Sequence, residues 1–127
     1  MTDLYYLPKG SPEFPPTDLA LKEPDGLLAM GGDLNPEWLT AAYSKGIFPW
    51  FNSDEEEILW WCPSERAVIL PGNMRISKSL RKLIRKERFC VSFDKSFDEV
   101  INNCSIRNDD SEGTWITERM KKAYKEL

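Results

Sequence analysis

Histidine is missing from this chain of 127 residues. Its absence excludes His-based catalytic triads, imidazole general bases and most zinc sites. Cysteine is scarce: Cys62, Cys90 and Cys104 are odd in number, widely spaced and form no CxxC pair. They predict neither a disulfide framework nor a thiolate with a His partner, and are expected to be small, semi-buried core residues. No stretch approaches the ~18 apolar residues a membrane helix needs. The N-terminus, Met1-Thr2-Asp3-Leu4-Tyr5-Tyr6, lacks the basic stretch and cleavage site of a secretory signal, so the chain reads as the mature sequence of a cytoplasmic protein.

Basic residues are nearly absent from one half. Through Glu65 there are 3 basic and 12 acidic residues, a net of −9; from Arg66 onward there are 14 basic and 9 acidic, a net of +5. The overall charge of −4 therefore conceals a basic second half, and polyanion binding follows the local field rather than the total.

Residues 8–26 carry Pro8, Pro12, Pro15, Pro16 and Pro24, which excludes a helix and predicts an extended segment anchored by Phe14 and Leu19/Leu21. Leu27–Met30 reads as a short buried strand closed by Gly31-Gly32. Asn35 and Pro36 fit the N-cap and first position of a helix that buries Trp38, Leu39, Ala42 and Tyr43 and stops at Gly46. Phe48-Pro49-Trp50 leads to an acidic loop, Asp54–Glu57, and Ile58–Trp61 reads as a strand. Arg66–Leu70 and Phe89–Phe93 are expected to be strands, with Pro71-Gly72 a turn and 77–88 a helix. Ser96 and Glu99 have capping-box spacing at the start of another helix. A polar loop, Asn108 to Gly113, precedes Thr114-Trp115-Ile116-Thr117 and a last helix with Met120, Ala123, Tyr124 and Leu127 on one face. That apolar face runs to the final residue without a capping glycine, the expectation for part of a longer protein.

The sharpest chemical signal is Ser77–Arg88. Ile76, Leu80, Leu83 and Ile84 fall on one side at helical spacing, and Lys78, Arg81, Lys82, Arg85 and Lys86 on the other. Glu87 is the lone acid, with no basic residue three or four positions before it, so internal ion pairs do not lace this face. Such a row suits a phosphate backbone, but also a merely solvated helix face; a membrane-surface or calmodulin-type target is a weaker third reading.

Five tryptophans are many for this length. Trp38 is expected in the core. Adjacent Trp60 and Trp61 must point to opposite faces of their strand. Trp50 and Trp115 lie in loops beside Pro or Gly, where an indole can act as a stacking platform or pack over a core edge.

Several of these strings together resemble one family. Glu23-Pro24-Asp25-Gly26-Leu27-Leu28-Ala29-Met30-Gly31-Gly32-Asp33-Leu34 is similar to its N-terminal signature, and Ala42-Tyr43-Ser44-Lys45-Gly46-Ile47-Phe48-Pro49-Trp50-Phe51 to its most distinctive block. Ile58-Leu59-Trp60-Trp61-Cys62-Pro63, Gly113-Thr114-Trp115-Ile116-Thr117 and Ala123-Tyr124 complete the set, in order along the whole chain. The family is that of the leucyl/phenylalanyl-tRNA–protein transferases. The resemblance implies an α+β chain: a small N-terminal α/β domain over residues 1–62, then the opening portion of an acetyltransferase-like (GNAT-like) domain over 63–127. The family chain is considerably longer, so this chain would end before the proposed catalytic carboxylate and most of the side-chain pocket.

The activity implied is transfer of Leu or Phe from aminoacyl-tRNA to proteins beginning with Arg or Lys, a step that marks them for degradation. Neither cofactor nor metal is implied, and no membrane. The family's adenosine-holding aromatics fall on Tyr43, Trp50, Trp115 and Tyr124, and its acceptor-stem cations on Lys78, Lys82, Arg85 and Lys86, with Arg81 in the same row. The two indoles are expected on one side of the molecule, near Tyr43 or Tyr124, with a ring face open. Cys62 replaces a common serine, Ser64-Glu65 a common Asp-Pro, and Arg75 a common histidine. Two other functions compete: a non-enzymatic tRNA-binding module, and a protein-interaction domain whose basic helix is only solvated surface.

Overall fold

The computed structural model describes residues 4–106 and 113–127. Among them, four strands and four α-helices form an α+β chain. Strand β1 (Tyr5–Leu7) pairs in parallel with β2 (Leu27–Gly31), Tyr5 opposite Ala29. Strand β4 (Leu59–Trp61) runs antiparallel to β2 on its other side, and β3 (Phe48–Pro49) is antiparallel to β4 at the edge. The order across this mixed sheet is β1-β2-β4-β3. The ladder shifts between Leu27 and Ala29, and Leu28 and Ala29 are consecutively buried instead of alternating.

Helix α1 (Pro36–Ser44) starts where the sequence places it. The Asn35 side chain accepts the Trp38 N–H at 3.1 Å, and Pro36 occupies the first turn, where its missing N–H costs nothing. Lys45 caps the other end, and Gly46 follows at φ +72°, its N–H bonded to the Tyr43 carbonyl at 3.0 Å. Trp38, Leu39 and Ala42 are buried beneath α1, as its spacing predicts.

An aromatic knot forms the centre of the core. Phe14 meets Trp38 and Trp60 edge-on at 5.5 and 4.9 Å between ring centroids, while Trp38 and Trp60 stack at 6.1 Å. Such pairs add ~0.5–1.5 kcal/mol each beyond the area they bury. Both indole N–H groups are satisfied: Trp38 donates to the Gly10 carbonyl at 3.0 Å, and Trp60 to that of Gly31 at 2.9 Å. The first of these bonds ties the proline-rich segment down onto the core. Gly32, at φ +76°, lies so close to Trp38 that a β-carbon there would sit 2.4 Å from the ring.

Helices α2 (Lys78–Arg85), α3 (Phe97–Ser105) and α4 (Glu118–Glu126) follow. Helix α4 packs against α1 and α3. Its Met120 and Ala123 are buried in the same core as Trp38 and Trp60.

Several expectations are corrected. Neither Arg66–Leu70 nor Phe89–Phe93 is a strand. Their β-branched and aromatic residues resemble strands, but no neighbour supplies a ladder among the described residues, and Val68, Ile69, Leu70, Phe89, Val91 and Phe93 are exposed. Ser96 opens α3, but its side chain caps nothing, because its backbone (φ −142°, ψ 41°) does not take the extended form of a cap. Tyr43 and Leu127 are exposed on their helices, as is Leu19 on the proline-rich segment, leaving Phe14 as that segment's buried anchor. Cys62 is half-buried as expected, but Cys90 and Cys104 are exposed, since the segments that carry them contribute nothing to the core. Apart from Gly113, the predicted polar loop lies outside the described residues.

Candidate functional site

The four aromatics singled out in the sequence come together in two pairs. Trp50 leaves the end of β3 with its backbone fixed twice: its N–H donates to the Leu59 carbonyl at 2.9 Å, and its own carbonyl accepts the Trp61 indole N–H at 2.9 Å. Trp61 thus serves the strand face opposite buried Trp60. The Trp50 ring stacks on Trp115, 5.6 Å between centroids with 28° between planes, while remaining 46% exposed. Trp115 is half-buried, packed against the core edge. It sits at the centre of a turn in which the Thr114 hydroxyl accepts the Ile116 N–H, and Thr117 then caps α4 by accepting the Met120 N–H at 3.3 Å.

In the second pair, Tyr43 from the last turn of α1 meets Tyr124 of α4 edge-on at 6.4 Å, and their hydroxyls hydrogen-bond to each other. Burial first, and then this hydrogen bond, push the Tyr124 phenol far above its usual range, so it keeps its proton. Each pair joins residues 43–50 to residues 115–124, across about 65–80 positions of sequence.

A base sandwiched between two parallel rings needs about 7 Å, twice the ~3.4 Å rise of stacked bases. The 5.6 Å between Trp50 and Trp115 does not leave that room. A flat ligand would stack on an outer face of the pair or part the two rings.

The acidic loop, which the sequence marks only as a loop, is tied to the same place. The Asp54 carboxylate accepts the Arg119 N–H at 3.1 Å, and the Arg119 guanidinium donates to the Asp54 and Glu56 carbonyls at 2.8 and 2.9 Å. The same guanidinium lies 5.1 Å over the buried Phe51 ring. Arg66 makes a similar joint between α1 and β3: its guanidinium donates to the Gly46 carbonyl and lies 5.9 Å over Phe48. No local signal identifies either joint, since the partners are far apart in sequence.

The cations of α2 form a separate feature. Lys78, Arg81, Lys82, Arg85 and Lys86 line one groove together with Ile76. Ser77 caps the helix by accepting the Leu80 N–H at 3.2 Å, and Lys82 and Arg85 in the last turn suit the helix dipole. The two ion pairs among the described residues, Lys121–Glu118 and Lys125–Asp98, leave α2 untouched. Its opposite side, Leu80, Leu83 and Ile84, is not buried by the described residues.

Comparison with known proteins matches the chain in two consecutive segments. The model described as the leucyl/phenylalanyl-tRNA protein transferase N-terminal domain matches residues 32–64, and that of the leucyl/phenylalanyl-tRNA protein transferase matches residues 68–127. Curated leucyl/phenylalanyl-tRNA–protein transferases are similar over most of the chain. That of Hydrogenovibrio crunogenus is 54% identical over 115 residues, covering 90% of this chain and 44% of the relative. That of Saccharophagus degradans is 49% identical over 127 residues, 100% of this chain and 52% of the relative. That of Pseudomonas aeruginosa is 49% identical over 124 residues, 98% and 54% respectively. The chain spans about half the length of the curated relatives it matches.

Proposed function

The chain belongs to the leucyl/phenylalanyl-tRNA protein transferase family, and from that premise we propose that its residues serve transfer of Leu or Phe from aminoacyl-tRNA to the α-amine of a protein beginning with Arg or Lys. The observation that carries this reading is the convergence of Trp50, Trp115, Tyr43 and Tyr124 from two distant segments. The Trp50–Trp115 pair offers a stacking face for the terminal adenine, and the Tyr43 and Tyr124 hydroxyls offer hydrogen bonds for its ribose or ester. Burial first, and then the bond to Tyr43, keep the Tyr124 phenol above its usual range, so it retains its proton.

In the transfer, the substrate amine attacks the ester carbonyl, the C–N bond forms, and the C–O bond to the tRNA 3′ oxygen breaks. The amine loses a proton and the departing oxygen gains one. The ester is already activated, so the exchange is downhill without a further energy source. The role of this chain's residues is to hold the adenosine end so that the carbonyl is presented to the amine. The proton-transferring carboxylate is assigned to the half of the relatives' length that this chain does not span.

The α2 row, Lys78, Arg81, Lys82, Arg85 and Lys86, is assigned to the phosphates of the tRNA acceptor stem, supported by its shared groove and its lack of ion pairs among the described residues. The junction near Cys62-Pro63 and an acetyltransferase-like second domain belong to the same proposal, as does a cytoplasmic site of action, where charged tRNA is found. No helix among the described residues is long and apolar enough to cross a membrane. tRNA binding without transfer is the less favoured reading, because the similar proteins bear the name of a transferase.

The test is Trp50→Ala. The ring is 46% exposed, so the fold should tolerate its loss. Affinity for an aminoacyl-adenosine analogue should fall by about 1–3 kcal/mol, roughly 5- to 150-fold in Kd, with the melting temperature near wild type. Unchanged affinity, or a variant that melts far lower, refutes the platform role.

A further inference from the structure

The two halves of the Trp50–Trp115 stack are not held equally. Trp50 is fixed by the sheet, through the Leu59 carbonyl and the Trp61 indole. Trp115 lies ahead of α4, and the loop that carries Trp50 grips α4 a second time four residues later, through Asp54. The Asp54 carboxylate accepts the Arg119 backbone N–H at 3.1 Å, in the first turn of α4. Arg119 returns the grip by donating to the Asp54 and Glu56 carbonyls.

Helix α4 does not need Asp54 in order to exist. Thr117 already caps it, and Met120 and Ala123 hold it in the core. Asp54 adds a lateral tie between the start of the helix and the loop. The first-turn N–H groups have no partners within the helix, and a carboxylate there is favoured by the helix dipole.

We propose that Asp54 is a positioning residue: by clamping the start of α4 to the loop that carries Trp50, it keeps Trp115 stacked on Trp50 and sets the affinity of this aromatic site for the aminoacyl-adenosine end of the substrate. The affinity half of this inference rests on the function proposed above; the clamp on the stack does not.

The test uses the full chain, with Asp54→Ala and Asp54→Asn. Stacked indoles give an exciton couplet in circular dichroism. Trp38 and Trp60 stack too, so the contribution of Trp50–Trp115 is the part removed by Trp115→Phe. Asp54→Ala should lose most of that part, melt close to wild type and bind an aminoacyl-adenosine analogue about five- to tenfold more weakly, the worth of one capping contact. Asp54→Asn keeps an acceptor oxygen and should restore part of both signals. An Asp54→Ala protein with a full couplet and wild-type Kd overturns the proposal. If Asp54→Ala does not fold, Asp54→Asn is measured in its place; if neither folds, the residue is structural and the proposal fails. A wild-type protein that does not bind the analogue refutes the adenosine reading and the affinity half, while the couplet still decides whether Asp54 holds the stack.

Discussion

Replacing Lys78, Arg81, Lys82 and Arg85 together by Ala tests the α2 assignment quantitatively. Each phosphate contact contributes about 0.7 to the log–log salt slope on a single strand and about 0.9 on a duplex. If all four side chains meet phosphates, the slope becomes shallower by about 2.8–3.6. Between 50 and 200 mM salt, the affinity loss of the variant would then be about 50- to 150-fold smaller than that of the wild type. The fold should be spared. Every residue of α2 is exposed, Ser77 still caps the helix, and Ala is a strong helix former. Removing the like-charge neighbours Lys78/Lys82 and Arg81/Arg85 relieves a few tenths of a kcal/mol per pair. Filter binding of tRNA across a salt series, with circular dichroism as a check on folding, gives both quantities. A folded variant with an unchanged slope would show that α2 presents only solvated charge.

Gly32→Ala should cost about 2–5 kcal/mol in urea unfolding, from the positive φ and the clash with Trp38; a loss under about 0.5 kcal/mol would contradict the packing described. The Asp54 carboxyl titrates below its ordinary 3.8, chiefly through the Thr117 hydroxyl. Its contribution to folding is therefore present above that value and lost as pH falls through the lower folded pKa. Asp54→Asn should flatten the acid limb of a stability–pH curve, and an identical limb counts against the clamp. Residues 1–127 alone, incubated with charged tRNA and an Arg-starting peptide, should yield no product, since the catalytic carboxylate is assigned elsewhere; turnover above background would place that group within this chain.

Local signals carry much of this structure. The Asn35-Pro36 start and Gly46 stop frame α1, and the doublet of Trp60 and Trp61 divides between core and surface as strand geometry requires. Where meaning depends on a distant partner, the sequence is silent or misleading. Strands β1 and β3 have three and two residues, too few to show a period, and exist because β2 and β4 lie beside them. Arg66–Leu70 has the residues of a strand without a neighbour to pair with. Tyr43 follows the apolar spacing of α1 and is nonetheless exposed, turned toward Tyr124. Trp50 and Trp115 stood out from their loop contexts, but Tyr43 and Tyr124 could be named as members of the site only through the family resemblance. Their pairing, and the part played by Asp54 and Trp61, needed the fold.

Helix α4 also bears on how the chain acquires its shape during synthesis. The strands and α1 are complete by Trp61, whereas Met120 and Ala123, which cover part of their core, arrive about 60 residues later. At a ribosomal rate of ~5–20 residues per second, that delay is roughly 3–12 s. For this interval the sheet and α1 would present to the cell the apolar patch that Met120 and Ala123 later cover. A nascent chain stalled before residue 118 should bind a holdase chaperone, and release should coincide with the emergence of α4.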